Sequence, residues 1–330
     1  MDSSDPRGTA LVTPPPASPG TATSTTPAAL AVGLVLLYLV WGSTYLGNRV
    51  ALESLPPLVS TSARFLAAAA VLFAVVAVRH GVSGLRLPRA GWTAVVVTGT
   101  LMVGAGSALL AVGQQYVPSG LASLLVAAMP VWVLVIRLGA GQRPAPLAVA
   151  GVLGGLAGLA LLLAAPTQRW HLAGMVTIVA STVVWALGSA LAQRLTMPAD
   201  HLVGTGWQML VGGVAVGAAG LVVGEWRELR LGAVTGRSWL AWSYLMLVCT
   251  VVGFSVYTWL LRRAPLQLAA TYAYVNPVVA VLLGMAVLGE RLTGRQVLAG
   301  VVVLAAVALV VARERPRRWA GLPPGAPAPP

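Results

Sequence analysis

Residues 118–131 read PSGLASLLVAAMPV, and 147 positions further on residues 265–278 read PLQLAATYAYVNPV. Pro118, Leu121, Ala122, Pro130 and Val131 thereby meet Pro265, Leu268, Ala269, Pro277 and Val278, and Trp92 meets Trp239 at the same offset. Slightly different offsets, as loop insertions give, set Trp41 against Trp185, Leu66 against Leu210, and Ala150-Gly151-Val152 against Ala299-Gly300-Val301. The chain is two related halves, and self-similarity on this scale constrains every later choice of fold.

Composition says what the halves are made of. Of 330 residues, 58% are hydrophobic and 9% charged, where soluble domains carry about 25% charged residues. Crossing roughly 30 Å of hydrocarbon takes about 20 apolar residues at a helical rise of about 1.5 Å. Ten such runs lie at approximately 29–48, 58–78, 91–113, 119–138, 147–165, 172–193, 203–223, 238–260, 268–288 and 296–312. Pro56-Pro57, Arg86 to Arg89, Pro144 to Pro146, Pro166 to Arg169, and Glu225 to Arg230 mark breaks between them.

Five spans per half is an odd number, so the second half must lie upside down relative to the first. The sequence therefore predicts an all-α integral membrane protein, with ten transmembrane helices arranged as two inverted five-helix repeats, residues 28–165 and 166–312. Residues 1–27, rich in Ser, Thr, Pro and Ala, are expected to form a disordered cytoplasmic tail, and residues 313–330 a cytoplasmic tail rich in Arg and Pro. The first apolar stretch is long and follows a polar tail, which reads as a retained span rather than a cleaved signal.

Polarity follows from arginine, because the chain has no lysine and cytoplasmic loops collect positive charge. With the N-terminus inside, 13 of the 21 basic residues fall in inner segments and 7 in outer ones, Arg64 lying within a span. Loop 224–237 runs against this trend with Arg227, Arg230 and Arg237, although Glu225 and Glu228 accompany them. Both termini are expected in the cytoplasm, and the chain as a multi-pass protein of the cell (plasma or inner) membrane.

Inverted repeats are the architecture of many secondary transporters, with a substrate site near the midplane between halves that rock about it. Particular motifs sharpen this. Trp41-Gly42-Ser43-Thr44 in the first span, Arg64-Phe65 in the second and Pro130 in the fourth are joined by Trp185-Ala186, Asn276-Pro277, and Gly289-Glu290-Arg291-Leu292-Thr293 followed by Gly300. Over about residues 29–312 the chain resembles the EamA family of the drug/metabolite transporter superfamily. That resemblance implies transport of a small metabolite, amino acid or drug-like compound by alternating access, with export the commoner direction. It also implies a cavity made by spans 1–4 and 6–9, with spans 5 and 10 at the periphery. One departure is that Gly139-Ala140-Gly141-Gln142-Arg143 stands where the family has a Gly-Glu-Arg-like turn, so the first-half glutamate is missing.

Isolated polar groups inside apolar spans are costly unless satisfied, and they mark transport pathways. Arg64 lies six residues into its span, about 9 Å from the outer end. It reads either as an anion-attracting group facing a central cavity or as a side chain snorkelling to the outer headgroups or bonding helix ends. The equivalent second-half position is Gln208. Trp41, Thr44, Tyr45 and Asn48 share one helix face by their i, i+3, i+4 and i+7 spacing, as a cavity wall or as an interfacial anchor, and Trp185 is the counterpart of Trp41. Pro130 and Pro277 each remove a backbone hydrogen bond, freeing the carbonyls of Val126 and Ala273. Both are candidate kinks for gating. Beside Pro277, Tyr272, Tyr274 and Asn276 supply hydroxyl and amide groups.

Other polar residues read as structural. Gln114, Trp207 and Tyr257 are expected at interfaces or in packing, and Cys249 as a small buried apolar residue. Glu290 reads as a turn carboxylate near Arg291 or Arg295, just ahead of a Thr293–Gln296 capping box. Gly151, Gly154, Gly155 and Gly158, with Gly213 and Gly217, have the spacing of close helix contacts.

Several chemistries are excluded. Gly81-Val82-Ser83-Gly84 beside His80 has the Gly-x-Ser-Gly pattern of rhomboid proteases, but a serine nucleophile needs a positioned base and no histidine lies in mid-span. Zinc, phosphate-loop and dinucleotide motifs are missing, and one cysteine makes neither a disulfide nor a cysteine metal cluster. No enzyme, cofactor or metal is expected. The arginines are separated by long uncharged runs, unlike a nucleic-acid-binding face. The expected partners are a small-molecule substrate and the lipid bilayer, with a homodimer left open. A receptor or scaffold that transports nothing is the alternative of another class. All eight acidic residues map to tails, loops or span ends, so a buried carboxylate proton relay is not expected and transport should be facilitated, by exchange, or coupled through another group.

Overall fold

The structure, a computed structural model, describes residues 27–139, 141, 146–163, 169–192, 194–263 and 272–313. Nearly all of both expected tails, and the Pro265 end of the repeat, lie outside those residues.

The first run forms two helices, α1 (Pro27–Gly42) and α2 (Thr44–Ala51), parted at Ser43, whose hydroxyl donates to the Val40 carbonyl at 2.9 Å. Pro57, preset for a first helical turn, opens α3 (Pro57–His80). The third run comprises α4 (Arg89–Thr98), a π-helical stretch at Gly99–Gly106 and α5 (Ser107–Gln114). In the fourth, α6 (Ser119–Val126) and α7 (Met129–Gly139) are separated at Ala127–Ala128, just ahead of Pro130. Then come α8 (Pro146–Leu163), α9 (Arg169–Ala192) and α10 (His201–Val223). Asp200 caps α10 by accepting from the Leu202 and Val203 amides. Short α11 (Glu225–Glu228) leads to α12 (Gly236–Tyr244), a second π-helical stretch at Leu245–Val252 and α13 (Gly253–Arg263). Last are α14 (Tyr272–Leu288) and α15 (Gly294–Arg313).

The all-α membrane fold expected from the sequence is present. Among the described residues there is no strand, and 7 helical segments are long and apolar enough to cross a membrane. Three shorter apolar helices, Val149–Gly158, Val275–Leu288 and Gly294–Ala306, fall at the fifth, ninth and tenth runs. Large apolar side chains such as Leu39, Val214, Leu282 and Val301 are exposed, the arrangement lipid requires and water penalises.

The repeat is written into the backbone in places where the two sequences differ. Gly81 (φ 71°) and Gly224 (φ 86°) end α3 and α10, while Gly141 (φ 75°) and Gly289 (φ 65°) turn the chain after α7 and α14. These left-handed conformations favour glycine at both members of each pair. The two π-helical stretches also correspond between the halves.

Packing obeys the same symmetry. α3 lies on α10 and α8 on α15, each pairing one half with its equivalent in the other. α5 packs on α9 as α13 packs on α1, and α7 packs on α9 as α14 packs on α1. The α3–α10 contact shows why the small-residue spacing matters: Ser62 donates to the Gly213 carbonyl at 2.8 Å, and a Cβ at Gly217 would stand 2.7 Å from the Ser62 hydroxyl.

Candidate functional site

Crossed helices from both halves leave a cavity of about 240 Å³ between them. Its wall includes Trp41, Thr44, Tyr45 and Asn48 from the first run, Arg64 from α3, Trp185 from α9, and Tyr272 and Asn276 from α14. Eight of the ten residues singled out as cavity candidates thus face one space. Gln208 stands apart from it, donating from its side-chain nitrogen to the Thr98 hydroxyl at 2.6 Å. The Tyr274 and Pro130 side chains lie outside the described residues, and Pro277 is a buried residue within α14.

Arg64 is buried, only 7% exposed, and lines this cavity. Its Nη1 donates to Asn48 Oδ1 at 2.9 Å. Asn48 Nδ2 in turn donates to Gln114 Oε1 at 3.0 Å, and Gln114 Nε2 to the Tyr45 carbonyl at 3.2 Å. Gln114, expected as a packing or interfacial residue, is instead a wholly buried link in this chain. Arg49 locks the same corner by donating from Nη1 to the Gln114 and Gln115 carbonyls at 3.2 and 2.6 Å. Among the described residues, two buried groups at the cavity lack hydrogen-bond partners: Arg64 Nε, a donor, and Asn276 Oδ1, an acceptor. Buried polar groups are normally satisfied, so both have bonding capacity left for a bound molecule.

Aromatic rings form another part of the wall. Trp41 contacts Tyr257 at 4.9 Å, Tyr272 at 5.0 Å and Phe254 at 5.6 Å between ring centroids. Its indole nitrogen donates to the Cys249 carbonyl at 3.3 Å. Tyr257 is therefore a cavity residue, where sequence suggested packing. Repeat symmetry places both tryptophans alike: a Cβ at Gly253 would stand 2.5 Å from Trp41 Nε1, and one at Gly106 would stand 3.0 Å from Trp185 Cε3. Cys249 is buried, as expected, but it also lines the cavity, and its thiol donates to the Val40 carbonyl at 3.3 Å.

Sequence reading missed Ser181 and Ser189, which flank Trp185 on the wall. Their i, i+4, i+8 spacing along α9 was a usable signal, the counterpart of the Trp41 face. Both π-helical stretches contribute as well, through Met102 and Val103 and through Cys249 and Thr250. Such stretches gather at functional sites, but no pattern in the side chains announced them.

Glu290 also differs from expectation. Its hydrogen bonds reach across to the start of α6 rather than to the neighbouring arginines: Oε1 accepts from the Ser119 amide at 2.8 Å, and Oε2 from the Gly120 amide at 3.1 Å and the Ser119 hydroxyl at 2.8 Å. Glu225 does the same for α3, accepting from the Leu58 and Val59 amides at 2.8 and 3.2 Å. Partial positive charge at a helix start favours a carboxylate there. The Thr293–Gln296 capping box is present as expected, with reciprocal bonds of 2.9 and 3.3 Å.

Comparison with known proteins agrees with this architecture. The model of the EamA-like transporter family matches residues 29–164 and 172–312. The uncharacterized inner membrane transporter YedA of Escherichia coli K12 is 36% identical over 280 residues, 84% of this chain and 89% of that protein. A probable amino-acid metabolite efflux pump of Salmonella typhimurium is 25% identical over 87% of this chain and 96% of its own. One solved crystal structure superposes with a TM-score of 0.58 at 21% identity, covering 86% of this chain and 96% of that one, a likeness of fold.

Proposed function

This chain belongs to the EamA-like transporter family and is a membrane transporter, and from that premise we propose that it exports a small metabolite, amino acid or drug-like compound by alternating access. The observation that carries the reading is the cavity itself, which both halves wall and into which Arg64 and Asn276 bring unsatisfied polar atoms. A scaffold gains nothing from burying such groups, whereas a substrate can complete their hydrogen bonds. Rocking of the halves about a midplane site is the motion inverted repeats permit.

Within this scheme Trp41, Tyr45, Trp185 and Tyr272 hold the apolar body of the substrate. Thr44, Asn48, Arg64 and Asn276 meet its polar groups. The break beside Pro130, and the backbone hydrogen bond that Pro277 removes inside the continuous α14, are the points about which α7 and α14 tilt. The N- and C-termini lie in the cytoplasm, as the arginine distribution indicates. Export is supported by the Salmonella relative, a probable amino-acid metabolite efflux pump.

Reconstitution tests this directly. Purified protein in liposomes loaded with a broad metabolite mixture should release at least one component faster than protein-free liposomes, and deletion of the gene should raise the same compound inside cells. Liposomes that release no member of the mixture would overturn transport as the function.

A further inference from the structure

The wall of the cavity has an imbalance of charge. Among the described residues, Arg64 is the one basic residue of the wall, and no Asp, Glu or His lines it. By sequence, the eight acidic residues, Asp2, Asp5, Glu53, Asp200, Glu225, Glu228, Glu290 and Glu314, map to tails, loops or span ends. The guanidinium is 7% exposed, bonded through Nη1 to a neutral amide, with Nε unpartnered. A cation removed from water in this way is expensive until an anion joins it. On another helix, Asn276 Oδ1 is an unpartnered acceptor at a residue 6% exposed.

We infer that the cavity takes a small organic monoanion: an oxyanion such as a carboxylate against Arg64, a neutral N–H or O–H donor to Asn276 Oδ1, and an apolar or aromatic body along the Trp41, Tyr257 and Tyr272 wall. This rests on the cavity being the substrate site. Guanidinium matches carboxylate geometry and keeps its charge when buried. A free ammonium group, whether on an organic cation or a zwitterion, would enter a space with no carboxylate to receive it. The site therefore discriminates by charge before it discriminates by shape. The volume of about 240 Å³ sets the scale of the body at a ring and a short chain.

Three probes with one phenol body separate the possibilities: 4-hydroxyphenylacetate is the anion, tyrosine the zwitterion and tyramine the cation. Equilibrium dialysis against purified full-length protein should show 4-hydroxyphenylacetate binding at least about tenfold tighter than either other probe, the factor expected of a charge-assisted hydrogen bond. Cys249, the sole cysteine and part of the cavity wall, locates the binding, because the occupied cavity should protect it from N-ethylmaleimide. Arg64→Gln should lose about tenfold in affinity for the anion, and Arg64→Lys should retain part of it. Asn276→Asp should invert the order and favour tyramine, a result that a merely structural role would not produce.

Tyrosine or tyramine binding as tightly as the anion in the wild-type protein would overturn the inference, as would absence of 4-hydroxyphenylacetate binding. So would protection of Cys249 by chloride at the same concentration. These wild-type comparisons stand even if a variant fails to fold. Binding of the anion without flux of any compound in liposomes would instead count against transport, so the two readings fail separately.

Discussion

The Glu290 carboxylate closes the start of the helix at Ser119, 171 positions earlier in the chain, with its Oε1 2.8 Å from the Ser119 amide nitrogen. A second-half loop is thereby fastened to a first-half helix, and Glu225 fastens another at Leu58. Replacement by glutamine keeps the size and removes the charge from these bonds. Glu290→Gln should destabilise the protein by about 1–2 kcal/mol, the usual worth of a helix cap. Thermal unfolding in detergent measures it, and Glu228→Gln, on an exposed residue, should leave Tm unchanged.

Asn48 is bonded on both sides, accepting from Arg64 and donating to Gln114. Its truncation strands two buried groups at once. Asn48→Ala should cost about 2–3 kcal/mol, whereas Asn48→Ala combined with Arg64→Met should recover much of that loss, because leaving one partner unsatisfied is worse than removing both. Unfolding midpoints of the two variants decide the matter. A double variant no more stable than the single one would show that the network is not the cause.

Gly253 leaves room for the Trp41 indole edge, and a methyl group there meets Nε1 at 2.5 Å. Overpacking of this kind costs about 1–3 kcal/mol. Gly253→Ala should lower Tm accordingly and change the rate at which N-ethylmaleimide reaches Cys249, whose carbonyl Trp41 holds. Gly232→Ala, with nothing within 4 Å, is the neutral comparison.

Orientation can be read with two new cysteines in a Cys249→Ser background. Gly232→Cys should react with a membrane-impermeant maleimide in intact cells, and Ser83→Cys only after permeabilisation. The reverse pattern would turn the molecule over in the membrane.

Coupling to protons has a clear expectation as well. Among the described residues no acidic residue or histidine lines the cavity, and relays through membranes use such residues. A pH gradient alone should therefore not drive accumulation in liposomes. Uphill transport abolished by collapsing that gradient would contradict this.

Some of the candidate site was legible before any coordinates. The i, i+3, i+4, i+7 spacing of Trp41, Thr44, Tyr45 and Asn48 shows that they share a face, because helical period is a local property. Arg64 was conspicuous through its cost in an apolar run. The sequence did not say what partner Arg64 has, and the structure buries it against Asn48. Gln208 occupies the repeat position of Arg64 yet bonds to Thr98, since a repeated backbone does not oblige two different side chains to face the same space.

The sequence by itself determined a membrane protein of two inverted halves. Span length, apolar composition and an odd number of runs per repeat are all properties of consecutive residues against a bilayer of fixed thickness. Only the tertiary structure decided which polar groups meet, because those partners lie far apart in the chain: 66 positions from Asn48 to Gln114, 171 from Ser119 to Glu290, and 208 from Trp41 to Cys249. Contacts over such separations follow from how helices pack, within the first half for Asn48 and Gln114 and between the halves for the other two pairs. That packing also brings one unpaired donor and one unpaired acceptor to the same cavity.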